Sequence, residues 1–163
     1  MSAAADHLRD QGPEPRWLDA DEQAVWRDYL DVMRRLMERL NRQLVDDAGM
    51  SLAEYEVLVQ LSESPNRRLR MSELADLVVN SRSRLTHTVN RLEERGFVAR
   101  EECPDDRRGI LCVLRDEGFA ALVAAAPGHV EAVRAAVFDP LDAEDVKALG
   151  VTMRKLRTLL RES

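Results

Sequence analysis

Cysteine is nearly absent from this 163-residue chain; Cys103 and Cys112 are the two it has. Two thiols make no disulfide framework. Aromatic residues are scarce at 4%, so a core must be built mostly of Leu, Val, Ala and Met. With seven Gly and six Pro, long stretches run without a breaker, which favours helix. The three histidines, His7, His87 and His129, lie far from the cysteines and show no metal-ligand spacing. No Gly-rich phosphate loop, Gly-x-Ser-x-Gly elbow or kinase set is present. The carboxylate pairs Asp46-Asp47 and Glu101-Glu102 are adjacent in sequence and do not converge. The expectation is therefore no enzyme, no cofactor and no metal. No apolar run approaches membrane-spanning length and no charged-plus-apolar leader is seen, so a cytoplasmic protein without a membrane partner is expected.

Charge is plentiful, at 33% of residues, and its balance is acidic, with a net charge of −6. Its distribution is uneven. From Asn66 to Gly109 there are ten Arg against eight Asp or Glu, a local +2, which leaves −8 for the rest of the chain. Binding to a polyanion depends on the face presented to it, not on the total.

Apolar periodicity maps the chain as mainly helical. Residues 1–18 lack periodicity and read as a flexible arm. Asp19 and Glu22 form a capping-box start for a long helix to about Asp47, with Trp26, Tyr29, Met33, Leu36, Leu40 and Leu44 at helical spacing. Ser51 and Glu54 form a second capping box, flanked by Met50 and Tyr55 as a hydrophobic staple. Ser64-Pro-Asn66 breaks the chain, and Leu69 is expected in a one-residue strand. Met71–Val79 is a short helix, Asn80-Ser81 a turn with Ser81 as the next N-cap. Beyond residue 114, Asp116 is expected to cap a helix reaching Phe138 with a kink at Pro127. Asp142 starts the last helix.

The central stretch is Arg82–Gly109. Leu85, Val89 and Leu92 form one apolar stripe. Ser83, His87 and Asn90 lie nearly opposite it, with Arg84, Thr86 and Arg91 on the flanks. Such a face suits the donors, acceptors and methyl groups of the major groove. Gly96 ends the helix as an αL residue. Phe97–Glu102 and Ile110–Leu114 read as strands, and between them Cys103–Gly109 is a turn carrying Arg107 and Arg108 at its tip. A helix followed by a basic-tipped hairpin is a winged helix-turn-helix pattern. The plain alternative, a solvated helix and an ordinary hairpin, leaves the paired arginines unexplained.

Pro104-Asp-Asp-Arg-Arg-Gly109 with the alternating apolar residues after it resembles the wing signature of the MarR family of bacterial transcriptional regulators. Leu74-Ala75, Arg91-Leu92-Glu93 and Gly96 also match positions the family favours. The similarity covers about residues 20–160. Two positions depart from it: His87, where the family usually has arginine, and Arg115, where it usually has threonine.

The resemblance implies a mainly α fold with a small antiparallel β wing, one domain over 19–163. Dimerisation helices would lie at about 19–47 and 116–161, around a DNA-binding lobe at about 51–114. It implies a homodimer on a near-palindromic duplex operator, acting as a repressor. Ser83, Arg84, Thr86, His87, Asn90 and Arg91 would serve the major groove. Arg107 and Arg108 would serve phosphate or the minor groove, with Asp105 or Asp106 holding an arginine. It further implies a pocket for a small aromatic or phenolic ligand, for which Trp26, Tyr29, Met33, Tyr55 and Leu58 are candidates. Two alternatives stay open: a protein-interaction module without DNA function, and a redox-responsive regulator using Cys103. Apolar filler is the simpler reading of both cysteines.

Overall fold

A computed structural model of the chain describes residues 15–78, 82–103 and 106–161. The expected arm up to residue 14 and the Asn80-Ser81 turn lie outside these residues. Contacts divide the chain into two compact units with the boundary after Arg35. Helix α1, Ala20–Ala48, contributes to both.

In the first unit α1 starts as the capping box demands. The Asp19 carboxylate accepts from the Glu22 N–H at 2.8 Å, and Glu22 accepts from the Asp19 N–H at 3.1 Å. Trp26 stacks on Tyr29, with centroids 5.9 Å apart. Asp31 receives Arg34 and, at 2.6 Å, Arg35.

In the second unit α1 buries Leu40 and Leu44 and stops at Gly49, whose φ of 62° few other residues adopt without strain. Asn41 on α1 accepts the N–H of Leu52 at 3.0 Å and fixes the turn into α2, Leu52–Glu63. Ser51 caps α2 reciprocally with Glu54, and both staple residues, Met50 and Tyr55, are buried. Val57, Leu58 and Leu61 carry the core onward. Asn66 and Arg67 both take left-handed backbone after Pro65. The chain then enters β1, Arg68–Arg70, so the expected one-residue strand is three residues long. Arg67 holds this corner against the next long helix. Its guanidinium lies 3.8 Å over the Phe119 ring and 3.2 Å from Asp116.

Helix α3 runs Met71–Leu77, ending short of the expected Val79 because Val78 already serves as C-cap. Helix α4 runs Arg82–Glu94 and closes in a Schellman motif. Gly96 at φ 73° donates to Glu93 O, and Phe97 donates to Leu92 O, each at 2.9 Å.

Strands β2, Val98–Cys103, and β3, Asp106–Leu114, form with β1 an antiparallel sheet of order β1-β3-β2. The wing differs from expectation. Pairing steps from Glu102↔Ile110 to Cys103↔Asp106, so 107–109 are extra residues on β3. Arg107 and Arg108 thus belong to a bulged strand and not to the turn.

Helix α5, Asp116–Val133, continues as a π segment, Arg134–Phe138. Asp116 is not its cap; Arg115 occupies the N-cap position without a side-chain bond, while the Asp116 carboxylate faces Arg67. The helix passes Pro127 as one helix. The π segment that follows is closed where Asp139 N–H donates to Arg134 O at 2.8 Å and the two side chains pair. One expectation needs correcting. The 23 residues Asp116–Phe138, whose most apolar stretch has mean hydropathy 1.3, are long and apolar enough to cross a membrane by length and composition. Its run of alanines has few charges, and it presents Leu122 and Ala125 to the core, with Phe119 and Ala121 packed beside them. The last helix, α6, Ala143–Arg161, is capped by Asp142, which accepts from the N–H groups of Glu144 and Asp145.

Candidate nucleic-acid interface

The apolar stripe of α4 sets the orientation of everything on its other side. Leu85, Val89 and Leu92 are at most 2% exposed. The helix is therefore pinned by that stripe, and Ser83, Arg84, Thr86, His87, Asn90 and Arg91 are all exposed. The periodicity set Ser83, His87 and Asn90 opposite the stripe and Arg84, Thr86 and Arg91 on its flanks, and all six lie on the exposed side of the helix. Thr86 also borders a shallow hollow of about 290 Å³ with Met71, Ser72 and Leu85.

Exposure does not make the six equivalent. Arg91 turns its Nε to 3.3 Å from Glu54 Oε1. Glu54 is 1% exposed, and its other oxygen accepts from Ser51 N at 2.7 Å and Ser51 Oγ at 2.8 Å. The Arg91 contact is a close ion pair outside hydrogen-bond geometry, since Oε1 otherwise has no hydrogen-bond partner. A carboxylate taken out of water needs such a cation. Arg91 consequently fastens α4 to α2, whatever else it touches.

Asn90 is engaged as well. Arg100 on β2 donates through Nη2 to Asn90 Oδ1 at 2.7 Å and toward Thr86 O at 3.4 Å. Its Nη1 pairs with Glu93, whose Oε1 also accepts the Arg100 N–H at 3.1 Å. Neither Arg100 nor the buried partnership of Glu54 was legible beforehand. One signal was available for Arg100: it shares a strand face with buried Val98, and a cation on an inward face needs a partner.

Of the wing residues, Asp105 lies outside the described residues, as do the side chains of Asp106, Arg107 and Arg108. Their backbone from 106 onward is strand β3.

The ligand candidates separate. Tyr55 and Leu58 are core residues, with the Tyr55 ring 4.5 Å from that of His129. Trp26, Tyr29 and Met33 are exposed on α1. A cleft of about 300 Å³ opens elsewhere in the second unit, bounded by Asp47, Met50, Arg95, Phe97, Ala125 and Gly128. Arg95 lies 4.4 Å over the Phe97 ring and donates to Gly49 O at 3.0 Å.

Both cysteines are buried thiols. Burial pushes the Cys112 thiol up to about 12, against a smaller opposing pull from Arg100. At neutral pH it is a packed apolar group, as its sequence setting suggested. Among the described residues no His, Cys, Asp and Glu cluster offers a metal site.

Two short helices set across a brief connection, the second presenting a polar outer face, with a three-stranded wing behind it, define a winged-helix DNA-binding protein. Comparison with known proteins specifies the class. The MarR family model matches residues 50–110. Sco3205, a MarR family transcriptional regulator from Streptomyces coelicolor solved in complex with DNA, is 53% identical over 90% of this chain and 91% of its own, with a TM-score of 0.84. AbsC, a MarR family transcriptional regulator from the same organism, is 40% identical over 91% of this chain and 100% of its own, also with a TM-score of 0.84. The transcriptional repressor YetL of Bacillus subtilis (strain 168) is 26% identical over 92% of this chain and 91% of its own. The chain belongs to the MarR family and is a DNA-binding transcriptional regulator.

Proposed function

We propose that this protein is a cytoplasmic homodimeric repressor that holds a near-palindromic operator and releases it on binding a small aromatic or phenolic ligand. The observation that carries the reading is the sidedness of α4. Its stripe is sealed in the core, while Ser83, Arg84, Thr86, His87 and Asn90 project together. Thr86, His87 and Asn90 reach base edges, and Arg84 takes phosphate. Arg91 steadies the helix and adds to the phosphate field. Arg107 and Arg108 meet phosphate or the minor groove, with Asp105 or Asp106 bracing one of them. Residues 51–114 act as the DNA-binding lobe, and the helices at about 19–47 and 116–161 as the dimerisation part of a single regulator domain. A two-fold dimer sets the two α4 helices roughly 34–36 Å apart, one turn of DNA. The protein's work is binding, not catalysis. Cation and ring at Arg95 and Phe97, beside the cleft, suit an aromatic anion.

An electrophoretic shift on duplex from upstream of its own gene, with unrelated duplex as competitor, tests this. Retention of the specific complex under excess competitor is expected. Absence of any shifted complex, even at low salt, leaves a winged-helix interaction module as the better reading.

A further inference from the structure

Asn90 is the residue of the reading face best able to discriminate bases, because its amide sets a donor and an acceptor side by side, in reach of two groups of one base edge. Used bidentately, asparagine reads adenine, accepting from N6 and donating to N7. Here one of the acceptor's two lone pairs is already taken by a cation, which weakens the oxygen as an acceptor for a second donor. A guanidinium has donors only, so the atom 2.7 Å from Arg100 Nη2 is the amide oxygen, and the amide orientation is settled by chemistry. Arg100 in turn has little freedom. Glu93 holds its N–H at 3.1 Å and pairs with Nη1, and Thr86 O lies 3.4 Å from Nη2. These anchors lie along successive turns of α4, and the Arg100 side chain is about a quarter exposed.

We infer that Arg100 is a specificity-determining residue that acts through Asn90. By binding the amide oxygen it leaves the NH₂ group as what Asn90 presents, and so selects an acceptor edge over adenine. Guanine offers N7 and O6, and thymine offers O4. Adenine answers with N7 alone, and its N6 donors would have to share an oxygen already bound to a cation. Cytosine offers a donor at this edge and is disfavoured most. The inference rests on the proposed base-reading role of Asn90. Glu93, which fixes Arg100, is a positioning residue in the same device.

The test selects duplexes from a random pool with the full-length protein, at one salt concentration, and reads base frequencies by sequencing. Asn90→Ala should level one position in each half-site, which identifies the base that Asn90 faces. At that position the wild type should favour guanine or thymine over adenine by about tenfold. Arg100→Met should raise adenine there by about tenfold relative to wild type and leave other positions alone. Glu93→Gln, which loosens Arg100 without touching Asn90, should shift the same position in the same direction by less. If Arg100→Met fails to fold as judged by circular dichroism, Glu93→Gln carries the test. Adenine at the wild-type position overturns the inference. So does an unchanged preference in the Arg100 or Glu93 variant while Asn90→Ala still levels the position. If Asn90→Ala levels nothing, the base-reading assignment itself fails and takes the inference with it.

Discussion

A single missing methyl group sets how α5 crosses the end of the wing. A Cβ on Gly118 would stand 2.3 Å from Phe97 O and 2.9 Å from Leu114 Cδ1. The carbonyl cannot retreat, because it accepts the Arg115 N–H at 2.9 Å and so sets the start of the helix. Gly118→Ala should therefore cost about 1–3 kcal/mol, the usual range for overpacking a closed site. Urea denaturation with an unchanged midpoint would show that the backbone yields there. His129 is a second residue whose surroundings speak. Its ring rests on Tyr55, and burial lowers its pKa from the ordinary 6.5. The folded state thus binds its proton more weakly than the unfolded state. That contribution to stability is whole above about pH 6.5 and is lost as pH falls toward the folded pKa. Between pH 7.5 and 5.5 the wild-type melting temperature should fall more than that of His129→Gln; parallel profiles would remove His129 as the cause.

The elements that make the interface divide into one that is pinned and one that is added on. Helix α4 is pinned three ways: by its apolar stripe, by Arg91 on buried Glu54, and by Arg100 from the neighbouring strand. Arg91→Ala strands a carboxylate that is 1% exposed, so it should lower stability by about 1–3 kcal/mol, and Glu54→Gln in the same chain should restore part of the loss. Arg108→Ala, on the bulged strand, should do the opposite: weaken operator binding by about 1–3 kcal/mol and leave the melting temperature in place. A thermal scan and a binding titration on both variants separate the roles, and equal loss of binding without loss of stability would make Arg91 a DNA contact only. This contrast also explains what the sequence disclosed. The stripe, the capping boxes at Asp19 and Ser51 and the stop at Gly96 are local patterns with periods of three or four residues, so they were legible. The partnerships of Glu54 with Arg91 and of Asn90 with Arg100 join residues brought close only by the fold, and no period announces them. Asp116, the expected cap of α5, is the first residue inside the helix; Arg115 stands at the N-cap without a side-chain bond, and the Asp116 carboxylate pairs with Arg67 across the corner. The register slip that moves Arg107 and Arg108 out of the turn depends on pairing with β2, which alternation within one strand cannot report.

For the whole molecule the question is what covers its apolar helices. On α6, Val151, Met153, Leu156, Leu159 and Leu160 are all exposed, the last at 74%. On α1, taken by itself, Trp26, Tyr29 and Leu30 are also exposed. Single exposed leucines are ordinary, but a run of them along one helix marks an interface. Members of the MarR family bind DNA as dimers, and a stable interface needs about 800 Å² from each partner. Charge is uneven as well: the stretch 66–109, which holds α4 and the wing, carries +2 and the remainder of the chain −8, so the acidic excess lies outside that stretch. Leu156 and Leu160 lie one helical turn apart on the same side of α6, outside the DNA-binding lobe. Leu156→Glu with Leu160→Glu introduces two carboxylates that a dimer has to desolvate, at a cost far above the roughly 1.5–3 kcal/mol each leucine gives when buried. Light scattering should then report a monomer. Operator affinity should collapse even though every residue of α4 and the wing is intact, because each half-site contact is held separately. The slope of log K against log salt should fall to about half, as one lobe neutralises half the phosphates. A double variant that remains dimeric and binds the operator like wild type would mean that this end of α6 takes no part in the interface, and that the two lobes are held together elsewhere.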